Sequence, residues 1–340
     1  MRIKFINVSL AGILVTASLN VFAVDITGAG SSFVAPVISK WAEEYKKVTK
    51  NSVNYASIGS SGGIKQIREK TVDFGATDAP LSGSDLDKDG MVQFPTIVGG
   101  VVPVVNLPDV NPGQLMLDGD TLAAIFRGDI TNWNAPQIAS VNPGVKLPSQ
   151  AITVVTRSDG SGTTAVFTDY LSKASSAWKN SVGQGATVKW PADSTVGGKG
   201  NEGVSANVTR IKGSIGYVEY AYAKLNKMTY AKIKNADGKF VSPSLDSFKA
   251  AAAGANWESV PGMGISLTNQ PGANSWPIVG GTFIVMYKNP TSKEKSAETL
   301  KFFEWSFKEG GKIASELEYV PLPANVTNYI AKNVWSQIAK

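Results

Sequence analysis

The chain has 340 residues, no cysteine, no histidine and a formal net charge of +6. The missing residue types exclude disulfides, thiolate or imidazole zinc sites, and histidine-dependent catalysis such as a Ser-His-Asp triad. The basic excess is small and scattered among acidic residues, so we expect no nucleic-acid partner. Because one core rarely covers more than about 250–300 residues, the length predicts two domains.

Residues 1–23 have the features of a cleaved secretory signal peptide. Arg2 and Lys4 precede a mostly apolar run, which ends in Val21-Phe22-Ala23 with small residues at the two positions that a signal peptidase recognises. Polar residues interrupt the run, which argues against a retained membrane anchor, and there is no cysteine to carry a lipid. We therefore expect residues 24–340 to be released into the periplasm.

The chain then continues with a short strand, a loop and a helix. Val24–Ile26 are predicted to form the strand and Thr27–Phe33 the loop, and apolar residues at helical spacing continue to Lys50. Gly28-Ala29-Gly30 begins like a dinucleotide-binding fingerprint. Phe33 occupies the third glycine position, however, so we discard a Rossmann site.

A second unit of the same kind follows. Val53 and Tyr55 predict a strand, and Gly59–Gly63 form a loop rich in glycine and serine that leads into a helix. One more short strand ends just before Asp78. Three alternating aspartates further along resemble the start of a calcium-binding loop, but the bidentate acid that such a loop needs is missing. We interpret them as the solvated end of a helix.

The third unit contains the residues best suited to binding an anion. A strand at Ile152–Val155 leads into the loop Thr156–Thr164, and a helix follows. Backbone N–H groups at a helix entrance lack partners, and the helix dipole favours an anion there. Arg157 adds a planar cationic fork suited to oxyanions. Asp159 either holds Arg157 in position or simply forms a turn.

Two long apolar stretches, Phe94–Val105 and Trp276–Met286, each contain a Gly-Gly pair. We predict that both are strands crossing between two lobes, with a hinge at the glycines. Lobe I would comprise residues 24–97 plus 278–340, and lobe II residues 98–277.

Other segments receive a structural interpretation. Val196–Gly203 contains a Gly-Lys pair but lacks the spacing of a nucleotide P-loop, so a loop-to-helix turn is predicted. Ser296–Lys308 and Val326–Ala339 are predicted to be amphipathic helices whose aromatic residues pack in the core.

Together the loops supply hydrogen-bond donors suited to an oxyanion. Hydroxyl or backbone N–H donors come from six residues: Ser32, Phe33, Ser60, Ser161, Gly162 and Thr163. The carboxylate of Asp78 can only accept, so it fits a ligand that carries a proton. Phosphate at neutral pH keeps at least one proton and sulfate has none. Asp78 would therefore reject sulfate.

The chain resembles the periplasmic phosphate-binding proteins of high-affinity phosphate ABC transporters through nearly all of its length after residue 23. The resemblance rests on five motifs: Thr27–Phe33, Gly59–Gly63, Asp73–Pro80, Arg157–Thr163 and Gly213–Ala223. It implies an α/β, two-lobed Venus-flytrap fold of type II, which has two crossover strands. It also implies a carrier without catalytic activity, cofactor or metal, which acts as a monomer and delivers inorganic phosphate to transmembrane permease subunits.

The same resemblance implies which residues bind. One lobe would contribute four ligands: Ser32, Phe33, Ser60 and Asp78. The other lobe would contribute four more: Arg157, Ser161, Gly162 and Thr163. Asp159 would lie behind Arg157. The family often has threonine in place of Ser32, and the hydroxyl is common to both residues.

The residues alone leave three other functions open. The first is a binder of sulfate or of another tetrahedral oxyanion. The second is a phosphate-ester hydrolase with Ser161 as nucleophile, although no histidine exists to act as its base. The third is a surface or adhesive role in addition to binding.

Overall fold

The structure is a computed structural model and describes residues 23–339. The predicted signal peptide, apart from Ala23, lies outside the described residues. No helix between residues 23 and 339 is both long enough and apolar enough to span a membrane.

Strands and helices alternate along the described chain. The strands are β1 (Ile26–Gly30), β2 (Val53–Ser57), β3 (Phe74–Thr77), β4 (Met91–Val105), β5 (Met116–Leu117), β6 (Thr153–Arg157), β7 (Thr195–Gly198), β8 (Ser214–Glu219), β9 (Thr229–Tyr230), β10 (Lys232–Lys234), β11 (Phe240–Val241), β12 (Val279–Tyr287) and β13 (Val320–Pro321). The helices are α1 (Ala35–Thr49), α2 (Ser60–Arg68), α3 (Gly83–Asp89), α4 (Gly119–Arg127), α5 (Pro136–Ser140), α6 (Gly162–Ala174), α7 (Ser176–Ser181), α8 (Gly200–Arg210), α9 (Tyr220–Leu225), α10 (Leu245–Ala252), α11 (Lys293–Lys308), α12 (Gly311–Glu316) and α13 (Ala324–Tyr329).

The main sheet has parallel strands at both ends and antiparallel strands in the middle. Its order is β2-β1-β3-β12-β4-β8-β6-β7, and β9 and β13 also pair with β4. β1 is parallel to β2 and β3, and β6 is parallel to β7 and β8. Helix α2 packs on β1 and β3, while α8 packs on β6, β7 and β8. Each end is therefore an α/β unit with helices covering parallel strands.

β4 belongs to both halves of the main sheet, and all of it is buried. Residues 91–100 pair with β12, whereas residues 101–105 pair with β8. The Val101 N–H donates to the Ile278 carbonyl at 2.8 Å, so the segment before β12 crosses beside β4. Two strands thus connect two lobes. The predicted type II, two-lobed fold is confirmed, and the exact lobe boundaries stay a prediction.

Two predicted elements have other bounds than expected. The first strand runs over Ile26–Gly30 rather than Val24–Ile26, so half of the expected loop is strand. The last predicted helix is divided: α13 ends at Tyr329, and a wider turn and a tighter turn follow it. The change of pitch accompanies the burial of Trp335, whose ring contacts Phe94 and Phe307.

Candidate functional site

Polar residues collect where the strands of both lobes end. β1 and β3 lead directly into Ser31–Phe33 and Asp78, and β6 ends at Arg157. In open α/β sheets, ligands bind beyond the carboxyl ends of parallel strands. All eight predicted ligand residues are buried there: Ser32, Phe33, Ser60, Asp78, Arg157, Ser161, Gly162 and Thr163.

Hydrogen bonds join the two walls of this cleft. The Tyr222 hydroxyl donates to the Ser32 carbonyl at 2.8 Å, and the Ser61 N–H donates to the Gly160 carbonyl at 3.1 Å. Further out, the Ser57 hydroxyl donates to the Glu202 carboxylate at 3.0 Å. The structure therefore shows the cleft in its closed form.

Asp78 is the carboxylate of the cleft. It accepts hydrogen bonds from the hydroxyls of Ser31 and Thr282, both at 2.6 Å. Burial raises the pKa of Asp78 to about 6, while these two hydroxyls and the charge of Arg157 oppose the shift. At neutral pH the carboxylate is ionised, and it has lone pairs left to accept a hydrogen bond from a protonated oxygen of a ligand.

Ser60 and Gly162 bring the opposite walls into contact. The Gly162 N–H donates to the Ser60 hydroxyl oxygen at 3.1 Å, and the Asp78 N–H donates to the same oxygen at 3.2 Å. A β-carbon on Gly162 would lie 2.5 Å from Asp78 Oδ2 and 2.6 Å from Asp78 Cβ. Gly162 begins a regular helix, so glycine is needed here for the close approach of the walls rather than for its backbone freedom.

Arg157 forms a buried, bidentate ion pair with Asp159. Nε lies 2.8 Å from Asp159 Oδ1, and Nη2 lies 2.5 Å from Oδ2. Burial by itself would raise the pKa of Asp159, but the hydrogen bonds and charge of Arg157 hold that pKa below its usual value. The third nitrogen, Nη1, lies 3.4 Å from the Thr163 hydroxyl oxygen. The guanidinium is thus fixed by Asp159 with Nη1 on the side of Thr163. Whether Asp159 affects binding through this contact stays a prediction.

Ser161 and Phe33 have local roles in addition to their predicted ones. The Ser161 hydroxyl oxygen accepts from the Thr164 N–H at 3.0 Å and caps helix α6, so its proton is left for another acceptor. The Phe33 N–H donates to the Ser31 hydroxyl at 3.0 Å, and the Phe33 ring is fully buried. Both residues are therefore held firmly at the cleft.

Three residues of the cleft were not predicted: Ser31, Asn201 and Thr282. Ser31 and Thr282 donate to Asp78, as described above. Asn201 is fully buried and donates to the hydroxyl oxygens of Ser32 and Thr163 at 2.9 and 3.2 Å. One signal for Asn201 was available, because β7 and α8 form a fourth strand, glycine-loop and helix unit. The interpretation of that segment as a plain turn was incomplete.

The polar groups of the cleft suit a small anion. The donors include one guanidinium and several hydroxyls, and the buried carboxylate of Asp78 is an acceptor. No group of acidic side chains suited to a metal ion occurs among residues 23–339. Fold and cleft together define a two-lobed solute-binding protein whose cleft suits an oxyanion that carries a proton.

Comparisons with known proteins agree with this class. A family model described as "PBP superfamily domain" matches residues 19–309. The phosphate-binding protein PstS of Pasteurella multocida is 54% identical over 321 residues, which are 94% of this chain and 93% of that protein. The PstS protein of Haemophilus influenzae is 52% identical over 91% of this chain and 92% of its own length. The chain belongs to the PstS family of phosphate-binding proteins, within the PBP superfamily.

Solved structures with much lower identity share the fold. A high-affinity periplasmic phosphate-binding protein, PfluDING, bound with phosphate, has a TM-score of 0.72 at 19% identity, over 91% of this chain and 94% of its own. A putative phosphate ABC transporter substrate-binding protein with bound phosphate, from Clostridium perfringens, has a TM-score of 0.63 at 19% identity. It covers 88% of this chain and its own chain completely. At these identities the comparison supports the architecture alone.

Proposed function

We propose that this protein captures inorganic phosphate between its lobes and delivers it, chemically unchanged, to the permease of a phosphate ABC transporter. Membership of the PstS family supports the substrate and the transport role. The observation that carries the proposal is the pairing of the Arg157 guanidinium and several hydroxyl donors with the buried carboxylate of Asp78. Among common tetrahedral oxyanions, phosphate offers both the negative oxygens for the donors and the proton for Asp78.

The proposed ligands come from both walls. Lobe I, residues 24–97 with 278–340, supplies four: Ser32, Phe33, Ser60 and Asp78. Lobe II, residues 98–277, supplies another four: Arg157, Ser161, Gly162 and Thr163. Asp159 holds Arg157 from behind. The direct contact of Ser60 with Gly162 supports this division, because it brings the two sets within hydrogen-bonding distance.

The setting of the protein follows from the same proposal. It acts as a monomer in the periplasm, after cleavage of residues 1–23, and its partners are transmembrane permease subunits. It needs no cofactor. Hydrolysis of phosphate esters is not part of the proposal, because a chain without histidine and cysteine has no usual base beside Ser161.

Calorimetry of residues 24–340 against phosphate and against sulfate tests the proposal. We expect tight phosphate binding and sulfate binding that is weaker by at least about 100-fold, since sulfate faces Asp78 with acceptors only. Equal binding of both anions would make the protein a general oxyanion binder and would refute the role of Asp78. Turnover of a phosphate ester by the purified protein would instead support the alternative function, a phosphate-ester hydrolase.

A further inference from the structure

Asn201 is one of the three buried cleft residues that the proposed ligand set does not contain. It is the second residue of α8, and its Oδ1 accepts the Glu219 N–H at 2.9 Å. Because a backbone N–H can only donate, this bond fixes which end of the amide is oxygen. The Nδ2 group therefore faces the cleft, where it donates to the hydroxyl oxygens of Ser32 at 2.9 Å and Thr163 at 3.2 Å.

These bonds determine what the two hydroxyls can do. A hydroxyl has two lone pairs and one proton. The Ser32 oxygen receives both Nδ2 and the backbone N–H of Asn201, the latter at 3.0 Å. The Thr163 hydroxyl oxygen accepts hydrogen bonds from Asn201 Nδ2 and Arg157 Nη1. With its lone pairs occupied, each hydroxyl can only donate its proton. No acceptor in the described part of the chain takes either proton.

We propose that Asn201 is a positioning residue that makes Ser32 and Thr163 obligate donors toward the bound anion. This inference rests on the proposed function and adds the direction of two hydrogen bonds to the ligand. Phosphate oxygens accept from both hydroxyls, while an oxygen that carries a proton donates to Asp78. Ser32 follows β1 and Thr163 lies in α6. Asn201 lies in lobe II with Thr163, so the amide sets the polarity of Ser32, in lobe I, only when the cleft is closed.

Two substitutions at the same position separate polarity from packing. Asn201→Asp keeps the shape but turns the donor into an acceptor, so that both hydroxyl protons point away from the ligand. Asn201→Ala removes the donor and leaves both hydroxyls free to donate to phosphate. We expect a loss of phosphate affinity of about tenfold for Asn201→Ala and of at least about 100-fold for Asn201→Asp.

The pH profile supplies a readout that a packing role would not change. Burial and the bound anion should raise the pKa of the carboxyl introduced by Asn201→Asp. It should therefore hold a proton to donate far more often at about pH 5 than at about pH 8, and its affinity deficit relative to wild type should shrink at least about tenfold. Asn142→Asp is the matched control. Asn142 is also buried, accepts a backbone N–H through Oδ1 and donates through Nδ2 to two carbonyls, all away from the cleft. It should leave phosphate affinity and its pH profile unchanged.

Calorimetry with inorganic phosphate decides the outcome. Wild-type protein that fails to bind would refute the proposed function itself. If wild type binds, the role of Asn201 is wrong when Asn201→Ala loses as much affinity as Asn201→Asp, or when the Asn201→Asp deficit does not depend on pH. Should thermal unfolding show that Asn201→Asp does not fold, the cycle of Ser32→Ala, Asn201→Ala and the double variant replaces it. If the double variant loses much less phosphate affinity than the two single fold-losses multiplied together, the role of Asn201 is supported. If its loss equals that product, the two residues act independently and the role is overturned.

Discussion

Gly162→Ala should separate the closing of the cleft from the folding of the chain. Gly162 is the first residue of α6 and has a backbone that any residue can adopt, so alanine should leave the stability of the ligand-free protein unchanged or raise it by up to about 1 kcal/mol. The nearest atoms to the new methyl group belong to the opposite wall. They are Ser60 Oγ, Asp78 Oδ2 at 2.5 Å and Asp78 Cβ at 2.6 Å.

The size of the effect follows from these distances. Carbon atoms in contact lie about 3.5–4.0 Å apart, so the two walls must separate by about 1 Å to admit the methyl group. A hydrogen bond of 2.8 Å that lengthens by about 1 Å is no longer a hydrogen bond. Two bonds to a charged ligand, at about 1.5–3 kcal/mol each, would then be lost. We expect phosphate affinity to fall by about 3–6 kcal/mol, or roughly 10²–10⁴-fold.

Calorimetry measures the affinity, and thermal unfolding of the ligand-free protein measures the stability. Gly311→Ala is the matched control, because Gly311 also begins a helix and its nearest neighbour atom lies 3.7 Å from the new methyl group. It should bind phosphate like wild type. If Gly162→Ala retains phosphate affinity within about threefold, the closed cleft in the structure is not the binding form.

The remaining predictions concern charges in the cleft. Arg157→Ala should weaken phosphate binding by about 3–5 kcal/mol in calorimetry, since it leaves a buried anion without its charge partner; the control Arg127→Ala removes an arginine paired with Asp129 outside the predicted site and should not change binding. Burial raises the pKa of Asp78 to about 6 in the folded protein from its ordinary value of 3.8. Its contribution to the unfolding free energy is therefore fully present below about pH 4 and is lost as pH rises through about 6, by at most about 3 kcal/mol. Urea unfolding across this range should show a flatter pH dependence for Asp78→Asn, and an unchanged slope would contradict the burial argument. Thr282→Val removes a 2.6 Å donor from Asp78, so the pKa of Asp78 should rise further and the stability loss should move to higher pH.

The fold was predictable from the sequence wherever its signals are local. The strand, loop and helix units that contain Ser60 and Arg157 follow from apolar spacing over a few residues. The first strand was misplaced because its glycines indicate a loop. In the structure Gly28 lies on the sheet and its α-carbon is covered by the ring of Phe74, an arrangement that a side chain at residue 28 would prevent. Only the tertiary contact explains a glycine within that strand.

The candidate site likewise contains contacts between residues close in sequence, which could be predicted, and contacts between distant residues, which could not. Arg157 and Asp159 are two residues apart, so their ion pair was a reasonable hypothesis from the sequence. Thr282 is 204 residues from its partner Asp78, and Asn201 is 169 residues from Ser32. No spacing rule connects residues so distant, and their types are common in loops and strands. Their place at the cleft arises from the crossing of two strands between the lobes.

The structure also indicates a second role for the Gly-Gly pairs of the crossing strands, which is to allow close packing rather than flexibility. Gly99 pairs with Gly280 in the antiparallel ladder of β4 and β12, two residues before its register shift at Thr282 and Phe283. A methyl group on Gly99 would lie 2.9 Å from the ring of Phe33, and one on Gly280 would lie 2.6 Å from Val166 Cγ2. Phe33 is itself a proposed ligand of lobe I, and Val166 is on α6, which begins with proposed ligands of lobe II. Because these glycines have no side chain, Phe33 and Val166 can pack directly against the backbone of the two crossing strands. A pivot at the glycines stays a prediction, but these contacts connect it to the cleft, because rotation there must move the Phe33 ring relative to Gly99.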